Sequence, residues 1–285
     1  MTNVYANFDQ ETLDQEYSAR DTVPDIDPFI ADYARLSATA RDSLSCREDV
    51  AYGDSPDEVV DIFPAGENTP VLIFIHGGYW RMLSQKESAF MAPCFVANGV
   101  AVVTVNYSLA PAASIDTIVR QCQAAVAWTW HNARDFGGDP DRIFVCGSSA
   151  GGHLTGMMVA GGWHNKRNIP PDTIKGAVPL SGLHDLEPVR LSNVNDWAGM
   201  DEAEARRNSP VHNLPDTGCP LIVSYGGSET NEFKRQSHLL ADAWTAQGWN
   251  AEIFEHQSRN HFDIVFDLCD EKSLLGSKVL ELISR

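Results

Sequence analysis

Short apolar runs and longer amphipathic stretches take turns along most of this chain. The runs at 71–75, 100–105, 143–146, 176–180, 221–225 and 251–254 are strand-length, and their β-branched content suits strands buried on both faces. Between them, 86–97, 113–135, 151–160 and 233–247 carry apolar positions at helical spacing. That alternation predicts repeated βα units, hence an α/β fold with a mostly parallel central sheet flanked by helices. Upstream, 57–63 (DEVVDIF) alternates acidic and apolar residues in strand fashion and 64–70 supplies turn chemistry, so a strand pair is expected to start the sheet.

Two stretches depart from the rhythm. The first 45 residues are polar and helix-leaning, interrupted by Pro24 and Pro28, and read as a helical extension packed on the main body, placed to help cover a site. Residues 183–213, with Pro188, Trp197 and Pro210, read as an irregular excursion above the sheet, of the kind that forms lids or caps. No internal repeat or composition shift marks a second domain, and 285 residues suit a single α/β domain spanning 1–285.

Composition narrows the function. With 39 acidic against 21 basic side chains, the net charge of −18 repels phosphate backbones and anionic lipid, which argues against nucleic acid and membrane partners. The start, MTNVYANFDQETLDQEYSAR, has no basic, apolar pattern of a secretory signal. The longest apolar run, 71–75, falls far short of the ~20 residues that cross a bilayer, so a soluble, cytoplasmic protein is expected. Six scattered cysteines without a C-x-x-C pair argue against zinc and redox sites. The expected partner is a small-molecule substrate, with no metal or organic cofactor, and a homodimer is left open.

The chemistry centres on 147–151, a G-x-S-x-G pentapeptide that follows the strand at 143–146 and opens a helix-prone segment rich in small residues. A serine at such a turn is strained and exposed, and glycines on both sides remove Cβ clashes, so Ser149 is the expected nucleophile, with Ser148 pointing away. A serine hydroxyl needs a base. Among nine histidines, His261 is favoured because it follows the last strand through the loop at 255–259, with His256 as the nearest rival. His153, one helical turn after Ser149, reads as a packing or hydrogen-bonding residue. The acid that orients the base belongs on the loop after the penultimate strand, where 226–229 (GGSE) offers Glu229, leaving Glu232 and Asp185 as alternatives. The order Ser149, Glu229, His261 matches the nucleophile, acid, base order of α/β-hydrolases.

The oxyanion of acyl transfer needs preorganised N–H donors. Residues 76–80 (HGGYW) follow a strand directly, so Gly77 and Gly78 can turn their amides inward, with Ala150 completing the hole and His76 tying down the loop. Tyr79 and Trp80 are candidates for substrate binding, and loop packing is an equal reading for Trp80.

These segments together resemble the kynurenine formamidase (arylformamidase) branch of the hormone-sensitive-lipase-like α/β-hydrolases. The resemblance rests on 13–18 (LDQEYS), 76–80 (HGGYW), 106–111 (NYSLAP), 147–154 (GSSAGGHL), 232–237 (EFKRQS) and 261–265 (HFDIV), which span nearly the whole chain. It implies a triad at Ser149, Glu229 and His261, oxyanion donors at Gly77, Gly78 and Ala150, and cleavage of an N-formyl arylamine such as N-formylkynurenine through a covalent acyl-enzyme. The chain departs from that pattern in lacking a histidine before the nucleophile and in carrying glutamate where aspartate is common. A carboxylesterase on small acyl or aryl esters is the alternative, and a non-catalytic binding protein on a hydrolase fold the remote one.

Overall fold

A computed structural model describes residues 3–285, so the first two residues of the expected 1–45 extension lie outside the described residues. Eight strands form one sheet: β1 (Arg47–Ala51), β2 (Val59–Phe63), β3 (Thr69–Ile75), β4 (Ala101–Val105), β5 (Gly138–Ser148), β6 (Ile174–Leu180), β7 (Leu221–Gly226) and β8 (Ala251–His256). Their spatial order is β1-β2-β4-β3-β5-β6-β7-β8. From β4 to β8 every pairing is parallel. The antiparallel pair that starts the sheet is β1 with β2, upstream of the 64–70 turn, and β2 next pairs with β4.

Successive strand residues point to opposite faces, and the core divides accordingly. Val71, Ile73 and Ile75 pack in one cluster with Ile118, Leu154 and Leu240. Leu72 and Phe74 pack in the other, with Phe95 and Val279. The first face is covered by α4 (Ile115–Asn132), α5 (Ala150–Val159) and α9 (Asn231–Ala246), and the second by α2 (Asp27–Ser43), α3 (Ala92–Ala97) and α10 (Leu274–Ser284). The remaining helices are α1 (Gln10–Glu16) in the N-terminal arm and α6 (Glu187–Leu191), α7 (Asn195–Ala198) and α8 (Glu202–Arg207) in the excursion. Short polar side chains fix several helix starts: Ser114, Thr230 and Ser273 each accept a first-turn N–H.

Three elements differ from the pattern reading. The 86–97 segment is a 3-10 turn closed by a Ser84/Glu87 capping box, followed by a separate short α3 with Pro93 in its first turn, where a proline's missing N–H costs nothing. Edge strand β1 (REDVA) is polar and mostly exposed, so it shows no apolar run. The C-terminal α10 has a legible apolar stripe, Leu275, Val279, Leu282 and Ile283, that the strand-led reading passed over.

Strand order reverses between β3's neighbours, with β4 on one side and β5 on the other, and such switch points open a crevice beyond the strands' carboxyl ends. The pairing of Ile75 with Gly147 brings the loops after β3 and β5 side by side there.

Candidate active site

Ser149 sits between β5 and α5 at φ 59°, ψ −119°, a left-handed conformation that non-glycine residues adopt only under constraint. Crowding dictates its neighbours. A Cβ on Gly147 would lie 2.4 Å from the Gly151 carbonyl oxygen, and one on Gly151 would lie 2.0 Å from that of Ile75. The Ser149 N–H donates to Leu180 O on β6 (2.9 Å), which pins the turn. Ala150 begins α5, so its N–H has no partner within the helix and stands at the positive end of the helix dipole.

His261 Nδ1 lies 2.9 Å from Glu229 Oε2, and both side chains are almost fully buried. A carboxylate only accepts, so Nδ1 carries the proton and Nε2 is left as the basic nitrogen. The other carboxylate oxygen, Glu229 Oε1, accepts from Ser181 Oγ and from the Gly226 N–H, each at 2.6 Å. These two bonds hold the longer glutamate side chain in place. The Phe233 ring packs edge-on against His261, with centroids 4.6 Å apart. No hydrogen bond joins Ser149 to His261 among the described residues. Both line one cavity, and such bonds often tighten only when substrate binds.

The competing residues are engaged elsewhere. His256 Nδ1 pairs with Asp267 at 3.1 Å, and burial pulls its pKa down. Asp185 accepts from Glu187 N and faces His212. Glu232 is bound by Tyr17 and Arg235.

The loop after β3 is the most contorted backbone near the cavity. Gly78, Tyr79 and Trp80 follow one another at φ +94°, 51° and 60°. A Cβ on Gly78 would meet Met82 O at 2.2 Å, so glycine is required there on two counts. Among the described residues, neither the Gly77 nor the Gly78 N–H donates to another backbone group. His76 is buried, stacks on Tyr107 at 4.0 Å and donates from Nδ1 to Gly77 O, and burial pulls its pKa to about 4. Tyr107 Oη in turn donates to His76 O at 2.9 Å.

Tyr79 lines the cavity, whereas Trp80 is fully buried and lies outside it. Trp80 Nε1 donates to His153 Nδ1 (3.2 Å), and His153 Nε2 donates to Asn208 O (2.7 Å). Accepting at Nδ1 requires the neutral ring, in keeping with a pKa pulled down to about 4 by burial. Trp80 is thus a packing residue that ties the loop to the helix carrying Ser149.

Ser148 also lines the cavity rather than turning wholly away from it. The wall is largely aromatic and aliphatic, with Tyr33, Phe74, Phe90 and Phe262 among its members. The N-terminal arm supplies Ala19, Arg20, Ile26 and Ile30. Their role was invisible in the sequence beyond a general expectation of cover, because nothing local says where an arm docks. Residues 183–213 contribute no cavity wall among the described residues. They reach the site through Trp197, whose Nε1 donates to Tyr79 O (3.1 Å) and whose ring lies 3.7 Å from the Arg81 guanidinium. Among the described residues, no group of three or more His, Cys, Asp or Glu side chains is arranged to hold a metal ion, and no helix is long and apolar enough to cross a membrane.

Comparison with known proteins places this geometry. Residues 61–240 match the BD-FAE family. A kynurenine formamidase from Danio rerio is 32% identical over 254 residues, covering 86% of this chain and 85% of the relative. Carboxylesterase NlhH from Mycobacterium tuberculosis is 37% identical over 226 residues, covering 71% and 69%. A crystal structure from Silicibacter sp. TM1040 superposes with a TM-score of 0.83 at 28% identity, over 96% of this chain and 99% of that one. By fold and by likeness along most of its length, the chain belongs to the kynurenine formamidase family of α/β-hydrolases and is a hydrolase.

Proposed function

We propose that the protein is an arylformamidase acting on N-formylkynurenine or a close N-formyl arylamine, with Ser149 as nucleophile, His261 as base and Glu229 as the orienting acid. The observation that carries this reading is the Glu229 to His261 hydrogen bond, with His261 and Ser149 lining the same aromatic-walled cavity. Ser149 Oγ attacks the formyl carbon as His261 Nε2 takes its proton. The oxyanion is stabilised by the amides of Gly77, Gly78 and Ala150, each such donor contributing on the order of 10²–10³ in rate. Protonated His261 gives the proton to the departing aryl nitrogen, which would otherwise leave as a poor anion. Water, deprotonated by His261, then attacks the formyl ester, releasing formate and regenerating Ser149.

Two arginines support a substrate that also bears a carboxylate. Arg20 and Arg81 line the cavity and belong to no ion pair among the described residues, in a chain of net charge −18. N-formylkynurenine offers both an aromatic formamide and a carboxylate. A cytoplasmic location accompanies the reading, supported by six cysteines that all remain free thiols.

The likeness to carboxylesterase NlhH favours small-ester hydrolysis as a second reading. The test is kcat/KM for N-formyl-L-kynurenine beside p-nitrophenyl acetate, with wild type and Ser149→Ala. A formamide preference abolished in the variant is expected. Ester turnover with negligible formamide cleavage would leave a serine esterase and discard the formamidase.

A further inference from the structure

Two of the segments that carry the family resemblance, 13–18 and 232–237, contain none of the reacting groups, yet they meet in the interior. Tyr17 Oη donates to Glu232 Oε2 at 2.6 Å and accepts from Gln236 Nε2 at 3.0 Å. All three side chains are buried. Glu232 is held in turn by a two-point contact with Arg235, both bonds 2.8 Å. One residue earlier, Glu16 closes the same junction: its carbonyl accepts from Thr230 Oγ1 (2.6 Å) and its carboxylate from the Glu232 N–H (3.0 Å). The arm therefore grips the first turn of α9, immediately after Glu229.

From the other side, Tyr79 Oη donates to the Tyr17 carbonyl at 2.5 Å. That bond reaches the contorted loop that offers Gly77 and Gly78. The two gripped loops follow β3 and β7, which are three strand intervals apart, roughly 14 Å at the usual sheet spacing. Phe233 fills the space between, with its ring 6.3 Å from Tyr17, 6.4 Å from Tyr79 and 4.6 Å from His261. Tyr17 itself does not line the cavity.

We propose that Tyr17 is a positioning residue: through Tyr79 and Glu232 it cross-braces the oxyanion loop to the start of α9, fixing the donors at Gly77 and Gly78 relative to the Glu229 and His261 pair. The proposal rests on the site assignment above. Catalysis by preorganised donors depends on geometry held to within a fraction of an ångström, and an error of about 1 Å can cost ~10²-fold. A brace spanning both halves of the machinery acts on the chemical step. Because the Tyr17 side chain touches no part of the cavity, its removal acts on kcat more than on KM.

The test compares Tyr17→Phe, Glu232→Met and the double variant in the full chain. Its readouts are kcat and KM for p-nitrophenyl acetate, the rate of Ser149 labelling by a fluorophosphonate, and Tm. Each single variant is expected to lower kcat and the labelling rate about 10-fold with KM within about 2-fold, and the double variant to lose no more than the worse single, since both cut one link. A fall in Tm with kcat and labelling unchanged would reduce the arm to a stabilising element and overturn the proposal. So would a rise in KM alone, or losses that multiply in the double variant. Wild-type labelling at Ser149 reports on the nucleophile by itself, and its absence would overturn the site assignment and the brace together.

Discussion

The loops after β3 and β8 face one cavity, with the loop after β7 backing His261, but the two sides are held in different ways. Glu229 is fixed by groups along the same sheet edge: the Gly226 N–H three residues back, Ser181 just past the end of β6, and His261 from the next loop. The turn around His261 is likewise local, with Asn260 Oδ1 accepting from the amides of Phe262 and Asp263. The β3 loop depends on distant partners, namely Tyr17, Tyr107, His153 and Trp197. The conformations differ in parallel. Tyr79 and Trp80 both adopt positive φ, a cost of about 1–2 kcal/mol for each side chain-bearing residue. Bonds from adjoining strand ends hold Glu229 and His261, whereas the strained β3 loop persists because remote elements over-determine it.

Breaking the relaxed side at its centre has the largest expected effect. Glu229→Gln keeps the shape but removes the charge and can favour the wrong imidazole tautomer, so kcat should fall by about 10³-fold or more with KM little changed. Pre-steady-state acylation kinetics check this, and a loss under tenfold would mean that another group orients His261.

Acid attacks the strained side next. The pKa values of His76 and His153 are pulled from 6.5 to about 4 by burial, and that of His184 to about 3. The unfolded chain takes up these protons first. The stability these neutral rings allow is therefore whole above pH 6.5 and is lost as pH falls through about 4 for His76 and His153, roughly 3 kcal/mol each, and through about 3 for His184. Tm measured from pH 7 to 4.5 should drop steeply, and His153→Gln, which can keep both hydrogen bonds without titrating, should flatten the curve. An unchanged slope in that variant would contradict the neutral-ring assignment.

The smallest effect sharpens the comparison. Tyr107→Phe retains the stacking on His76 but removes the bond to its carbonyl, and should cost about 1 kcal/mol in stability and a few-fold in kcat. If the loop were as self-sufficient as the Glu229 turn, kcat would not move.

The parallel strands could be read from the sequence because burial on both faces demands continuous apolar runs, and the turn at Ser149 because its crowding admits only glycine at 147 and 151. Glu229 and His261 were legible as loop residues after successive strands. Where the signal was weak, the physics was non-local. Edge strand β1 buries too little to need an apolar run, and Trp80 carries no mark that separates a cavity wall from a strut.

The sequence by itself determined the layered α/β architecture, the chain order of Ser149, Glu229 and His261, and the glycines on which the turns depend. These follow from periodicity and local sterics, which act over a few residues. Only the tertiary structure decided that Glu229 rather than Glu232 or Asp185 meets His261, that Trp80 ties the β3 loop to α5, and that the N-terminal arm walls the cavity and joins two loops with Tyr17. Each of those outcomes depends on which buried polar group finds its partner across more than 30 residues of chain, a matter of global packing that no local pattern encodes.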